Sequence, residues 1–306
     1  MGAQRTAKQR PDSALRARSG MLRAARCLSP LMRISISHLT SYRYETPATS
    51  VIQMLRLTPR NHDGQYVARW RIDVSTDCRL DQHEDAFGNI THVFTAEGPF
   101  TELAVAVEGE VETRDTQGIV RGVVERFPPS LYLRATALTS PDSNIAGFAA
   151  ASRDAAGGNV LNLLHLMLAR LHEDMAHHTA SVHTATTAAQ AFALKRGAGR
   201  DFAHVFIAAA RSLGIPARYV GGYFRRDDGV SEQEAGDAWA EAFVPELGWV
   251  AFDAANGLCA TDAHVRVAVG LDDLGAAPLR GTRYGGVGEA LSVKVRVEQA
   301  AQQTQN

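Results

Sequence analysis

The sequence predicts an α+β protein in which a β-sandwich-like N-terminal domain precedes a core of one helix packed against an antiparallel sheet. Apolar residues at Leu103, Val105 and Val107 alternate with their neighbours, which is typical of half-buried strands in the first part of the chain. From Phe202 to Leu213 the apolar residues recur at helical spacing instead. Alternation returns from Ala238 to Val244, so strands are expected after that helix.

The N-terminal β domain is expected to span residues 32–135. A turn at residues 85–89 contains glycine and asparagine, which tolerate positive φ, and it separates two strand-like runs. One proline pair follows at 128–129, and a run of turn-forming residues follows at 139–144. Residues 136–158 are therefore expected to be a linker.

The core is expected to span residues 159–298. Its first element is a helix, because the apolar residues from Val160 to Leu171 fall at i, i+3, i+4, i+7, i+8 and i+11. The later part of the core has strand character at residues 216–224, 238–244 and 249–252. An alternating run at residues 291–297 predicts the final strand of the core, and residues 299–306 are expected to be a disordered tail.

The composition favours a globular protein of the cytoplasm. A chain of 306 residues, 45% hydrophobic and 21% charged, can bury a full core in two domains. No apolar run approaches the ~18 residues of a membrane span, so no membrane partner is predicted. Three cysteines do not suggest a disulfide framework.

The charge is distributed unevenly. Residues 1–31 hold seven lysines and arginines against Asp12 alone, a net of +6, so the remainder carries −7 of the overall −1. Such a leader can be a nucleic-acid arm, a targeting segment or a disordered tail. The strand pattern of the N-terminal β domain begins at Met32. We therefore expect residues 1–31 either to be disordered or to result from a translation start assigned too far upstream. No nucleic-acid partner is predicted.

Four short motifs occur in order in the second half of the chain. They are Phe202-Ala203-His204, the run from Ile215 to Tyr223, Ala238-Trp239-Ala240-Glu241, and Gly248-Trp249-Val250-Ala251-Phe252-Asp253. Together they resemble the core of bacterial transglutaminase-like proteins, a papain-like superfamily. The turn at residues 85–89 resembles the N-terminal β domain that precedes this core in those proteins. The resemblance covers residues 32–298 and implies a papain-like transglutaminase fold.

The resemblance also identifies the positions at which the family carries its Cys-His-Asp triad. Those positions hold Gly199, Asp237 and Asp253 here, so only the aspartate is retained. The positive end of a helix and a neighbouring imidazole both stabilise a cysteine thiolate. A carboxylate then holds that imidazole in one tautomer. Glycine supplies no nucleophile, and two carboxylates without an imidazole cannot perform the family's chemistry.

Other residues offer weak substitutes for the missing groups. Cys27, Cys78 and Cys259 are expected to be ordinary reduced thiols away from the start of the helix. His204 lies five residues after Gly199, about 140° around the helix, and is expected to be structural. The histidines between His172 and His183 are not completed by cysteine or well-spaced carboxylates, so neither a metal nor a cofactor is predicted.

Three hypotheses about function follow from these residues. The first is a catalytically inactive transglutaminase-like protein that binds a peptide or a protein. The resemblance implies an intact paralogue or an ATP-grasp ligase as such a partner. The second is a cysteine-independent hydrolase or acyltransferase in which Asp237 and Asp253 activate water. The third is an active enzyme whose cysteine and histidine are hidden by a sequence error.

Overall fold

The computed structural model describes residues 31–178 and 186–300. Within them the chain forms two large antiparallel sheets, with helices packed on one of them, and a small parallel sheet of two short strands. The helices are α1 (Ser143–Ala155), α2 (Val160–Asp174), α3 (Ala188–Leu194), α4 (Gly199–Ser212) and α5 (Asp273–Ala276), with a 3-10 turn at Pro129–Leu133. The strands are β1 (Met32–Thr58), β2 (Gln65–Val74), β3 (Asp81–Glu84), β4 (Ile90–Thr113), β5 (Ile119–Val120), β6 (Ala176–His177), β7 (Arg196–Gly197), β8 (Ala217–Phe224), β9 (Glu232–Gln233), β10 (Asp237–Val244), β11 (Gly248–Asp253), β12 (Leu258–Cys259), β13 (His264–Gly270), β14 (Leu279–Gly285) and β15 (Glu289–Gln299).

The N-terminal sheet is organised around the long strand β1. Its order is β2-β4-β1-β15-β9, with β3 added to β4 and β14 to the second half of β1. Along β1 the buried residues, such as Ile34 and Ile36, alternate with partly exposed ones, so one face of the sheet is apolar. That face packs against other elements while the opposite face meets water.

The second sheet carries the central helix of the core. Its order is β12-β11-β10-β8-β13, with β5 added to β11. Helix α4 is buried along nearly its whole length, and Ala208, Ala209 and Ala210 have no exposed surface. These small side chains let the helix approach β10 closely. The α+β class and the helix on an antiparallel sheet are confirmed.

One apolar core joins the two sheets. Ile34 and Val297 from the N-terminal sheet belong to the same buried cluster as Phe206 of α4 and Phe252 of β11. Because the cluster is continuous, the N-terminal domain supports the core directly.

The structure differs from the expected domain boundaries in two places. The segment expected to be a linker contains α1, whose first turn is capped by Asp142 and which buries Ile145 and Ala149. The strand expected to close the core, β15, instead pairs with β1 in the N-terminal sheet. Its alternating valines face the shared core from that position, and periodicity alone does not specify the partner of a strand.

The basic leader and the tail, apart from Leu31, Gln299 and Ala300, lie outside the described residues, as does His183. Among the described helices none is long and apolar enough to cross a membrane.

Candidate functional site

Residue 199 stands at the N-terminus of α4. The first turn of this helix is closed by Asp201, whose Oδ2 accepts a hydrogen bond of 2.9 Å from the Ala198 amide. Because α4 begins at residue 199, the positive end of the helix dipole lies at this position, where it would stabilise a thiolate. A Cβ placed on Gly199 would lie 2.8 Å from Oδ1 of Asp237. The carboxylate of Asp237 thus occupies the space that a side chain at position 199 would enter.

The two aspartates predicted to stand at triad positions come together at the ends of neighbouring strands. Asp237 begins β10 and Asp253 ends β11. The Asn256 side-chain amide donates to both, at 3.3 Å to Asp237 Oδ2 and 2.7 Å to Asp253 Oδ2. The three family positions are therefore close in space, with one amide group linking the two carboxylates.

An imidazole is present at this site, contrary to the expectation of two carboxylates alone. His264 of β13 lies with Nε2 3.1 Å from Asp253 Oδ2. Its Nδ1 accepts a hydrogen bond of 3.0 Å from the Thr261 amide, so the ring proton is on Nε2 and is donated to Asp253. The ring is buried and packs edge-on against Trp239. Asp253 is thereby held by His264 on one side and Asn256 on the other.

The surroundings of the carboxylate pair raise the pKa of Asp237. Burial, followed by the charge of Asp253, raises the pKa of Asp237 to about 7, and the Ala238 amide opposes that rise. Two close carboxylates resist simultaneous ionisation, and the better bonded one keeps the charge. Asp253 accepts hydrogen bonds from both His264 and Asn256, which fix its orientation beside Asp237.

We expect Asp237→Asn to stabilise the protein increasingly as the pH rises from 5 to 8. A carboxyl whose pKa is raised on folding favours the folded state fully below its unfolded pKa of about 4 and loses that contribution as pH rises toward 7. The asparagine cannot ionise, so the advantage of the variant should grow across this window. Urea unfolding at each pH measures it, with the exposed Asp227→Asn as control. A difference independent of pH would contradict the raised pKa.

Cys259 is the described thiol closest to a histidine. Its Sγ lies 3.4 Å from Nε2 of His165 on α2. Burial raises the pKa of this thiol to about 11, so it remains protonated and is a poor nucleophile. The contact with His165 was not expected from the sequence, because α2 and β12 are far apart in the chain. Cys27 lies outside the described residues.

His204 lies on another face of α4. Its Nε2 accepts a hydrogen bond of 3.1 Å from the Asp273 amide, and burial lowers its pKa to about 4. The ring is therefore neutral and holds the start of α5. His172 also has a structural contact, with Nδ1 3.1 Å from the Ala255 carbonyl oxygen. Within residues 31–178 and 186–300 no three His, Cys, Asp or Glu side chains are grouped as metal ligands.

Comparison with known proteins places this architecture in a family. Residues 34–112 match the family model of the bacterial transglutaminase-like N-terminal region, and residues 164–254 match that of the transglutaminase-like superfamily. An uncharacterized protein of Mycobacterium leprae is 30% identical over 285 residues, covering 89% of this chain and 100% of the relative. The chain belongs to the transglutaminase-like superfamily.

Other similarities extend along most of this transglutaminase-like chain. An uncharacterized protein of Mycobacterium tuberculosis is 25% identical over 291 residues, which cover 84% of this chain and 89% of the relative. The crystal structure of a candidate cysteine protease from Cytophaga hutchinsonii superimposes with a TM-score of 0.70 at 18% identity, covering 90% of this chain and 93% of that one. At this identity the likeness shows a shared fold and no shared activity.

Proposed function

We propose that this chain is a non-catalytic transglutaminase-like protein that acts by binding a peptide or a protein near Gly199, Asp237 and Asp253. The observation that carries the proposal is the position of Asp237 Oδ1, 2.8 Å from where a Cβ of residue 199 would lie. The residue at the histidine position fills the space of the nucleophile. Gly199 and Asp237 therefore fit each other as a pair, which supports a binding site and argues against an error at a single position.

The surrounding groups favour recognition over acyl transfer. Acyl transfer through a thioester needs a thiolate, and burial raises the pKa of both described thiols, Cys78 and Cys259. Cys78 and Cys259 are free thiols, which supports a role in the cytoplasm. Asp237 retains partial exposure and offers a hydrogen-bonding group to an incoming peptide. The partner is identified here only by class, as a peptide or protein segment.

We expect iodoacetamide to label Cys259 in the folded protein more slowly than in urea. The alkylated species is the thiolate, and a thiol with a pKa of about 11 forms little of it at neutral pH. Time-resolved alkylation with peptide mapping measures the rate at each cysteine, and Cys259→Ser confirms the assignment. Fast labelling of Cys259 together with amidase or transamidase activity would contradict the non-catalytic function.

One observation favours a second candidate function, a cysteine-independent hydrolase. Asp237, with a pKa raised to about 7, has the acidity suited to a general base at neutral pH. As a base it would take a proton from water while the water oxygen attacks an acyl carbon, and that proton would pass to the leaving group. Asp253, held by His264 and Asn256, would stay in place beside the base.

Rates with activated ester and amide substrates decide between the two functions. The hydrolase requires turnover that rises as the pH passes about 7, because the base must be deprotonated, and that disappears in Asp237→Asn. Asp227→Asn, at an exposed position, is the matched control. Turnover absent from the wild-type protein, or unchanged in Asp237→Asn, leaves the binding function as the better account.

A further inference from the structure

A polar cleft lies where the N-terminal domain meets the core sheet, apart from the site at Gly199. We call it the Arg114 cleft; its walls include His62, Arg114, Trp239, Glu241, His264 and Arg266. Its cavity volume is about 40 Å³, enough for a few water-sized atoms and too small for a whole side chain of average size. His264 of this lining also contacts the carboxylate pair described above, through Asp253.

Two hydrogen-bond donors of the cleft have no partner. Nε of Arg114 is buried without a hydrogen bond, and no ion pair of Arg114 occurs within the described part of the chain. His62 accepts from the Gly64 amide at Nδ1, 3.2 Å away, so its proton is on Nε2, which is also buried and unbonded. Buried donors without acceptors are uncommon and costly in folded proteins. Both donors therefore favour an acceptor entering the cleft.

The charge of the cleft favours an anion. Its lining contains two arginines, Arg114 and Arg266, and one carboxylate, Glu241. That carboxylate is already engaged, since Arg218 Nε donates to it at 2.6 Å and Arg266 Nε at 2.7 Å. Burial, assisted by the charge of Arg266, lowers the pKa of His62 to about 4, so this ring contributes a neutral donor. The charges of Glu241 and Asp63 oppose that fall in the pKa of His62, and the guanidinium of Arg114 makes no ion pair among the described residues.

We propose that the Arg114 cleft binds a carboxylate group. A planar carboxylate matches the fork of a guanidinium and has two oxygens, one for Arg114 and one for His62 Nε2. Its few heavy atoms fit the volume of the cleft, and the Trp239 ring provides an apolar wall for the carbon that bears it. The carboxylate belongs either to the end of a peptide or to a small free acid. This inference is independent of the proposed function, because the two donors that carry it, on Arg114 and His62, belong to neither Gly199, Asp237 nor Asp253.

The indole N–H resonance of Trp239 in a ¹⁵N-labelled full-length protein reports on the cleft. The probes are sodium acetate, a short peptide with a free C-terminal carboxylate, and the same peptide as its C-terminal amide, each at constant ionic strength. We expect a saturable shift with acetate or with the acid peptide and none with the amide. Arg114→Gln should weaken binding about tenfold, because a charge-assisted hydrogen bond is lost. The exposed Arg121→Gln is the matched control and should bind as the wild type does.

Each outcome either distinguishes a small free acid from a peptide C-terminus or contradicts binding at the Arg114 cleft. Saturation by acetate identifies a small free acid as a sufficient ligand, whereas saturation by the acid peptide alone identifies a peptide C-terminus. Equal binding of the acid and amide peptides, equal weakening by Arg114→Gln and Arg121→Gln, or no saturable shift with any probe overturns the proposal. Arg114→Lys keeps the charge and checks folding, and it should bind more tightly than Arg114→Gln. The Gly199 site plays no part in these measurements, so their failure leaves the proposed function intact.

Discussion

Glu241→Gln should lower the free energy of unfolding by about 3–5 kcal/mol at neutral pH. Glu241 has no exposed surface, and its two oxygens accept from Arg218 and Arg266. Arg218 is itself buried and also reaches Glu125, which ties the core sheet to the segment that follows the N-terminal sheet. Removing the central charge leaves two guanidinium groups facing an amide that offers them half the acceptors. Urea unfolding monitored by tryptophan fluorescence measures the loss.

The effect of this variant should depend on pH. Burial opposes ionisation of Glu241, but Arg266 and Arg218 outweigh it and lower its pKa to about 2. A depressed carboxyl pKa stabilises the fold fully above the unfolded value of about 4.3, and that contribution is lost as pH falls through 2. The gap between wild type and variant should therefore narrow below about pH 4. Glu232→Ala, in the exposed pair with Arg296, should leave the unfolding midpoint unchanged. A loss as small as that control would show that the buried network is dispensable.

The helix and strands of the core could be predicted because their signals are local. The spacing from Val160 to Leu171 specifies an apolar stripe, and α2 follows it from Val160 to Asp174. The pairing of strands could not be predicted in the same way. Alternation identifies which face of a strand is buried but not which strand lies beside it. β15 pairs with β1 across more than 240 residues, and this long-range pairing is what the expected domain boundary missed.

The site shows the same division between local and long-range information. The family motifs locate Gly199, Asp237 and Asp253, and the structure brings these positions together. Asn256 was close enough in sequence to be suspected, three residues after Asp253 and able to accept or donate. His264 lies in a segment, residues 262–268, that also resembles the family, but its pairing with Asp253 depends on β13 packing beside β8 in the sheet.

Gly199→Cys combined with Asp237→His should create a cysteine with a lowered thiol pKa that forms an acyl-enzyme with an activated ester. The double variant removes the Asp237 carboxylate that a Cβ at position 199 would meet at 2.8 Å, and the next contact, with Ala238 O at 3.5 Å, is ordinary. Gly199 starts a helix without positive φ, so a side chain is tolerated by the backbone. The new imidazole would stand beside Asp253, as the family's chemistry requires.

The two single variants test whether acylation needs both the thiol and the imidazole. Gly199→Cys alone places a thiol against a carboxylate, which should strain the site and keep the thiol pKa high, while Asp237→His alone has no nucleophile. Because nucleophile and base act as a unit, neither single variant should acylate. Mass spectrometry of the acyl-enzyme and the pH dependence of alkylation measure both effects. If the double variant folds but shows an ordinary thiol pKa and no acylation, the three positions are out of catalytic register. The proposed binding near Gly199 would then be dropped in favour of a purely structural role, because the proposal depends on the scaffold still holding these three positions in place.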